Sequence, residues 1–245
     1  MKKILKVVAA LVVILLVIFL AVFGLAKMKI IFINKWFVNE QKSTIGVDIS
    51  HYQGNVDFQK LKNQNIEFVY IKATEGSKHQ DDMFQENWDK AAAAGIPSGA
   101  YHFFSYDSPG QTQAENFISY AGQDMTGRLI PVVDLEYYGD KEENPPAKED
   151  VVREVKIFLE ALETQYGVKP MIYTRVDIYK TYLKGNFDDY KYWISEFYKP
   201  ISWSYQDDWY IWQYLNRGEL EGHEGEFIDL NILNQDKDLE DLMVK

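Results

Sequence analysis

The sequence predicts an α/β fold: an irregular, TIM-like (β/α) barrel carried behind an N-terminal transmembrane helix. Three observations predict it. Val7 to Ala26 is an unbroken run of 20 residues with no charged or strongly polar side chain. From residue 44 onward, short apolar runs alternate with amphipathic stretches, the pattern of parallel strands joined by helices. Seven or eight such runs fall within about 200 residues, which suits a closed barrel better than an open sheet.

At 1.5 Å per residue the apolar run spans roughly 30 Å, about the hydrocarbon core of a bilayer. Lys2, Lys3 and Lys6 precede it, favouring a cytoplasmic N-terminus. Lys27, Lys29 and Lys35 follow it, so the charge bias is weak. A secretory signal is the rival reading. Its apolar core is normally ~7–15 residues, shorter than this run, although Gly24-Leu25-Ala26 offers a small-x-small cleavage site. Both readings place the remainder outside the cytoplasmic membrane. The expected organisation is a cytoplasmic tip and membrane anchor at 1–29, a stalk at 30–43 and one catalytic domain at 44–245.

The elements follow in order. Thr44–Ser50 reads as a strand, Asp57–Gln64 as a short helix capped by Asp57, and Ile66–Thr74 as a second strand. Asp81–Ala94 is a helix stopped by Gly95, Ser98–Ser105 a strand, and Gly110–Gly122 a helix. Leu129–Glu136 is the fourth strand, and Lys148–Tyr166 the longest helix, closed by Gly167. Pro170–Thr174 is a strand and Val176–Leu183 a short helix. Tyr192–Phe197, Trp209–Leu215 and Glu226–Asn231 are three more strands, followed by a helical turn or two near Asp236–Met243. The later connections are too short for full helices, which makes the barrel irregular.

In such barrels the chemistry gathers at the C-terminal ends of the strands. The fourth strand, LIPVVDLEYY at 129–138, ends in Asp134 and Glu136. Spacing i, i+2 puts both carboxyls on one face, with α-carbons roughly 6–7 Å apart. Asp48, Lys72 and Glu75 end the first two strands, Tyr101 and His102 the third, and Tyr173 the fifth. Trp193, then Trp212 and Gln213, then Asp229 end the last three. This is a carboxylate cluster walled by aromatic rings, suited to a sugar polymer. Flat rings pack on pyranoses, and a buried acid kept protonated by its neighbours delivers a proton to a glycosidic oxygen. For His102, a hydrogen-bonded core histidine is the commoner alternative to a site role, and Trp193 and Trp212 also suit core packing.

Composition excludes several classes. Residues 30–245 carry 21 basic and 37 acidic side chains, which argues against nucleic acid and against an anionic membrane surface. There are no cysteines, so no disulfide holds the domain together. His51, His79, His102 and His223 lack ligand spacing, so no metal is expected. No glycine-rich phosphate loop or nucleophile elbow occurs.

GVDISHYQG (46–54), FVYIKATEG (68–76), GAYHFF (99–104), PVVDLE (131–136) and FIDLN (227–231) resemble the signature segments of glycoside hydrolase family 25, the N-acetylmuramidase lysozymes. The resemblance implies that family's irregular, flattened barrel. It also implies peptidoglycan glycan strands as substrate, cut at the β-1,4 bond from N-acetylmuramic acid to N-acetylglucosamine, without a cofactor. Glu136 would be the general acid and Asp134 would steer the substrate's 2-acetamido group, with Asp48 and Asp229 completing the ring. Tyr101, His102, Lys72, Glu75, Tyr173, Trp193, Trp212 and Gln213 would bind the glycan. Many relatives carry wall-binding repeats; here a membrane anchor stands instead, implying local wall remodelling or opening, alone or beside a secretion or conjugation machine. A non-catalytic membrane-anchored glycan-binding module, or an enzyme on chitin, is the competing reading. The four acids count against the first, and the missing D-x-x-D-x-D-x-E ladder against the second.

Overall fold

The computed structural model describes residues 2–27 and 33–245. Lys29 and the first part of the expected 30–43 stalk lie outside these residues. Helix α1 (Lys2–Lys27) is the apolar run, long and apolar enough to cross a membrane, and none of its hydrophobic span is buried against protein.

Nine strands follow among the described residues. They are β1 (Ile45–Ile49), β2 (Ile66–Glu75), β3 (His79–Gln80), β4 (Ser98–Phe103), β5 (Val132–Leu135), β6 (Met171–Arg175), β7 (Lys191–Ser195), β8 (Ile211–Gly218) and β9 (Ile228–Leu233). Their order is β1-β9-β8-β7-β6-β5-β4-β2, and parallel pairing of β1 with β2 closes eight of them into a barrel. The expectation of parallel pairing is corrected in one place, because β9 runs antiparallel to both neighbours. The connection from β8 to β9, residues 219–227, holds no helix, so the chain turns straight back rather than crossing over. The short β3 is a further addition; it hairpins back on β2 outside the barrel.

The helices α2 (Phe58–Asn63), α3 (Phe84–Ala93), α4 (Gly110–Ala121), α5 (Lys148–Tyr166) and α6 (Val176–Ile178) connect successive strands. In α5 the buried side chains Val151, Val155, Phe158, Leu159 and Leu162 recur at three- and four-residue spacing, so one stripe faces the sheet. The helix ends because Gly167 adopts φ +70°, a left-handed conformation that glycine takes without a Cβ clash. After β7 the connection shrinks to a 3₁₀ turn, Ile201–Trp203, as the short spacing implied. The expected C-terminal helix is only a 3₁₀ turn, Leu239–Leu242, whose neighbours bridge to Leu129 beneath β5.

Two glycines make the barrel interior possible. A Cβ at Gly46 would stand 2.3 Å from the Phe68 ring, and one at Gly99 would stand 2.2 Å from the Tyr70 ring. The missing side chains admit those two rings, and Tyr70 packs on Trp193 at 5.1 Å between centroids. Phe68, Tyr70 and Trp193, all fully buried, fill the lumen. What remains open is the end where the strands terminate.

Candidate active site

A cleft of about 310 Å³ opens at that end. Alternation along the strands decides what lines it, since only every second side chain points inward. Asp48 comes from β1, Lys72 from β2, Tyr101 and Phe103 from β4, Asp134 and Glu136 from β5 and the residue following it. Tyr173, Trp193, Gln213 and Asp229 complete the circuit on β6 to β9.

Hydrogen bonds join one side of this ring into a chain. The Trp193 indole donates to Asn231 Oδ1 at 2.9 Å, and Asn231 Nδ2 donates to Asp48 Oδ1 at 2.7 Å. Gln213 Nε2 donates to the same Asp48 oxygen at 2.8 Å. The Tyr173 hydroxyl donates to Gln213 Oε1 at 2.7 Å and lies 3.5 Å from Glu136 Oε1. Asp48 is thereby fixed by two amides, and its strand register sets it opposite Asp229. Asp134 is held differently: it is buried, yet Oδ1 has no hydrogen-bond partner among the described residues.

Burial dominates the electrostatics. It raises Asp48 to about 6, partly offset by the hydrogen bonds from Asn231 and Gln213. It raises Glu136 to about 7; the Arg175 charge lowers it, while Asp48 adds to the rise. Asp134 is pushed well above the carboxylate range, first by burial and then by the Glu136 charge, against the pull of Lys72. The carboxyls titrate as a set and keep protons towards neutrality. Lys72, buried and ion-paired to Glu75 at 2.7 Å, supplies a cation beside them. This arrangement can donate a proton and bind a polar substrate against aromatic walls.

A second, wider groove continues from the cleft and shares Glu136, Phe197 and Asn216 with it. Arg175, Tyr198 and Trp203 line it. The two together form an open trough, the shape a polymer requires.

The sequence matches the family model described as "Glycosyl hydrolases family 25" over residues 47–223. The chain belongs to glycosyl hydrolase family 25. Every strand and acid just described except Asp229 and Asn231, with the rest of β9, and the start of β1 lies within the matched span. The chain is 30% identical over 194 residues to the uncharacterized Escherichia coli K12 protein YegX, covering 77% of this chain and 69% of that one. It is 30% identical over 204 residues to lysozyme M1 of Streptomyces globisporus, covering 77% and 67%. The structure of a family 25 glycosyl hydrolase from Bacillus anthracis superposes with a TM-score of 0.75 at 40% identity, covering 80% of this chain and 92% of that one. As a family 25 member the chain is a glycoside hydrolase of the lysozyme class, and peptidoglycan is the polymer this membership supports.

Nine of the residues expected from the sequence line the family 25 cleft: Asp48, Lys72, Tyr101, Asp134, Glu136, Tyr173, Trp193, Gln213 and Asp229. Three do not. His102 is fully buried on the outer face of β4, hydrogen-bonded to Thr74 and Gln113 and stacked on Phe158 of α5. Trp212 is also turned outward; its indole donates to the Glu196 carbonyl at 2.9 Å. Glu75 stands outside the lining and acts on it through Lys72. The same alternation that selects Tyr101 and Gln213 excludes their neighbours His102 and Trp212.

Phe103, Phe197, Asn216 and Asn231 were not among the expected site residues. Phe103 and Asn231 share a face with Tyr101 and Asp229 by alternation, so period-two reading finds them. Phe197 also falls on the face of Trp193 by that period, just past the end of β7, whereas Asn216 lies where β8 is bulged and the period gives no such signal.

Proposed function

We propose that this chain is a membrane-anchored muramidase. It cleaves the β-1,4 bond between N-acetylmuramic acid and N-acetylglucosamine at the outer face of the cell membrane, for local remodelling or opening of the wall. The observation that carries the reading is the Asp134–Glu136 pair on one face of the cleft floor, with Glu136 held protonated to about 7.

In this reading Glu136 protonates the departing glycosidic oxygen. Asp134 lies too close to it on the same strand to straddle the bond as an opposed nucleophile. Its unpartnered oxygen instead orients the substrate's 2-acetamido N–H, whose carbonyl oxygen attacks the anomeric carbon. Asp48 and Asp229 line the opposite side, and Tyr101, Trp193 and Phe103 hold the sugar rings. The anchoring rests on α1, with its exposed apolar surface and the lysines in its first turns.

Mass spectrometry of fragments released from purified peptidoglycan tests the function. Products with N-acetylmuramic acid at the reducing end are expected; reducing N-acetylglucosamine or free peptides would contradict it. Proton NMR of the first anomer tests the chemistry. Neighbouring-group participation gives the β anomer, and an initial α anomer would move the base role to Asp48 or Asp229.

A further inference from the structure

Three large aromatic side chains stand in water at one place on the surface. Trp36 is 71% exposed, Phe37 54% and Trp203 66%. Exposed rings of this size are normal singly but not in a group. Trp203 comes from the turn after β7, far along the chain, yet its ring meets that of Phe37 edge-on at 5.7 Å.

The segment carrying Trp36 and Phe37 is pinned to the barrel. Asn34, fully buried, donates through Nδ2 to the carbonyls of Glu196 at 2.7 Å and Tyr214 at 3.2 Å. The Tyr214 hydroxyl donates to Glu40 at 2.7 Å. The patch is therefore a fixed feature of the domain.

Its place in the chain says what it meets. α1 ends at Lys27, and the next described element begins at Ile33. Five intervening residues reach at most about 20 Å when fully extended. The headgroup zone beyond the hydrocarbon core is itself roughly 5–8 Å thick on each side. The patch is thus tethered beside the bilayer surface, the zone in which Trp side chains concentrate.

We propose that Trp36, Phe37 and Trp203 seat the barrel on the headgroup region of the membrane that its own anchor spans. The inference rests on the anchoring proposed above. Aromatic contact suits a domain whose net negative charge repels an anionic surface. It also aims the enzyme: Trp203 and Tyr198 line the groove shared by Glu136, so seating the patch lays that groove along the membrane. The substrate this selects is the glycan strand lying against the bilayer rather than the outer wall.

The test uses the full chain reconstituted into phosphatidylcholine vesicles containing lipids brominated close to the headgroup. α1 contains no tryptophan, Trp88, Trp193 and Trp212 are buried, and Trp209 is half-buried against the core, so the shares lost on replacing Trp36 and Trp203 report the exposed indoles. Flotation with the vesicles establishes anchoring. Quenching by the shallow bromines is expected, with a distinct share lost in Trp203→Phe and another in Trp36→Phe. Both positions are exposed, so the fold tolerates the change. Flotation with no share lost in Trp203→Phe would overturn the seating while leaving the anchor intact. A Trp203 signal moved by soluble glycan chains and not by bromolipid would likewise overturn it, assigning the ring to the substrate. Failure to float would remove the anchor and the seating together.

Discussion

Two buried polar clusters lie on opposite faces of the barrel wall, and they are finished differently. Outside the barrel wall, His102 is enclosed between β4 and α5. Gln113 Nε2 donates to the carbonyls of Ser105 and Ser108, so its Oε1 is the acceptor facing His102 Nε2, and the Thr74 hydroxyl meets Nδ1. Burial pushes the imidazole down to about 3, so it is neutral with both nitrogens satisfied. Inside the wall, Asp48, Asp134 and Glu136 are crowded together, raised by burial, and Asp134 Oδ1 is left without a partner. A buried polar group that is fully partnered holds the structure; one left short is aimed at something that arrives.

The comparison breaks most visibly on Glu136→Gln. The amide keeps the shape but has no proton to give, and general-acid catalysis is worth ~10²–10⁴-fold. Turnover of peptidoglycan should fall by that factor with the melting temperature retained or raised. A folded variant of near wild-type rate would remove Glu136 from the acid role.

His102→Leu should do the opposite. It strands the Thr74 hydroxyl and one acceptor position of Gln113 in an apolar layer, at about 1–3 kcal/mol for each unsatisfied group. Denaturant unfolding should show a loss of about 2–4 kcal/mol, while kcat per folded molecule stays at the wild-type level. A loss of kcat without loss of stability would return His102 to the site.

The acids also leave a mark on stability. In the unfolded chain Glu136 titrates near 4.5, whereas folded it holds its proton to about 7 and Asp48 to about 6. The folded state binds more protons across that window, so stability is highest below it and falls as pH rises through it. Glu136→Gln should flatten this slope, gaining about 1–3 kcal/mol over wild type near pH 8 and little near pH 4. An unchanged slope would mean that the carboxyl is solvated in the folded protein.

Much of this was legible in the sequence because strands with two-residue and helices with 3.6-residue periods leave different patterns. The barrel, its helices and the Asp134–Glu136 strand follow from that alone. The reversal of β9 was not legible, because a strand's residues do not encode the direction of its neighbours. His102 and Trp212 were gathered with the site because strand ends were read as positions rather than as faces. Asn231 shows the converse: it sits two residues from Asp229 on the same face, and only the fold reveals that it clamps Asp48.

The finest test of the contrast lies at its edge, at Arg175. Its guanidinium lines the outer groove, half-exposed, and is shared with Glu142 at 3.0 Å and Asp177 at 2.9 Å. Its charge is the main force holding Glu136 below what burial alone would impose. Removing that charge in Arg175→Gln therefore raises Glu136 further, and the acid stays protonated to higher pH. The alkaline limb of the kcat profile should move upward. Solvent and the two neighbouring carboxylates screen the interaction, so the shift is expected to be only a few tenths of a pH unit. A limb that stays in place would show that Arg175 is neutralised by its partners; one that moves down would show that the alkaline limb does not report Glu136.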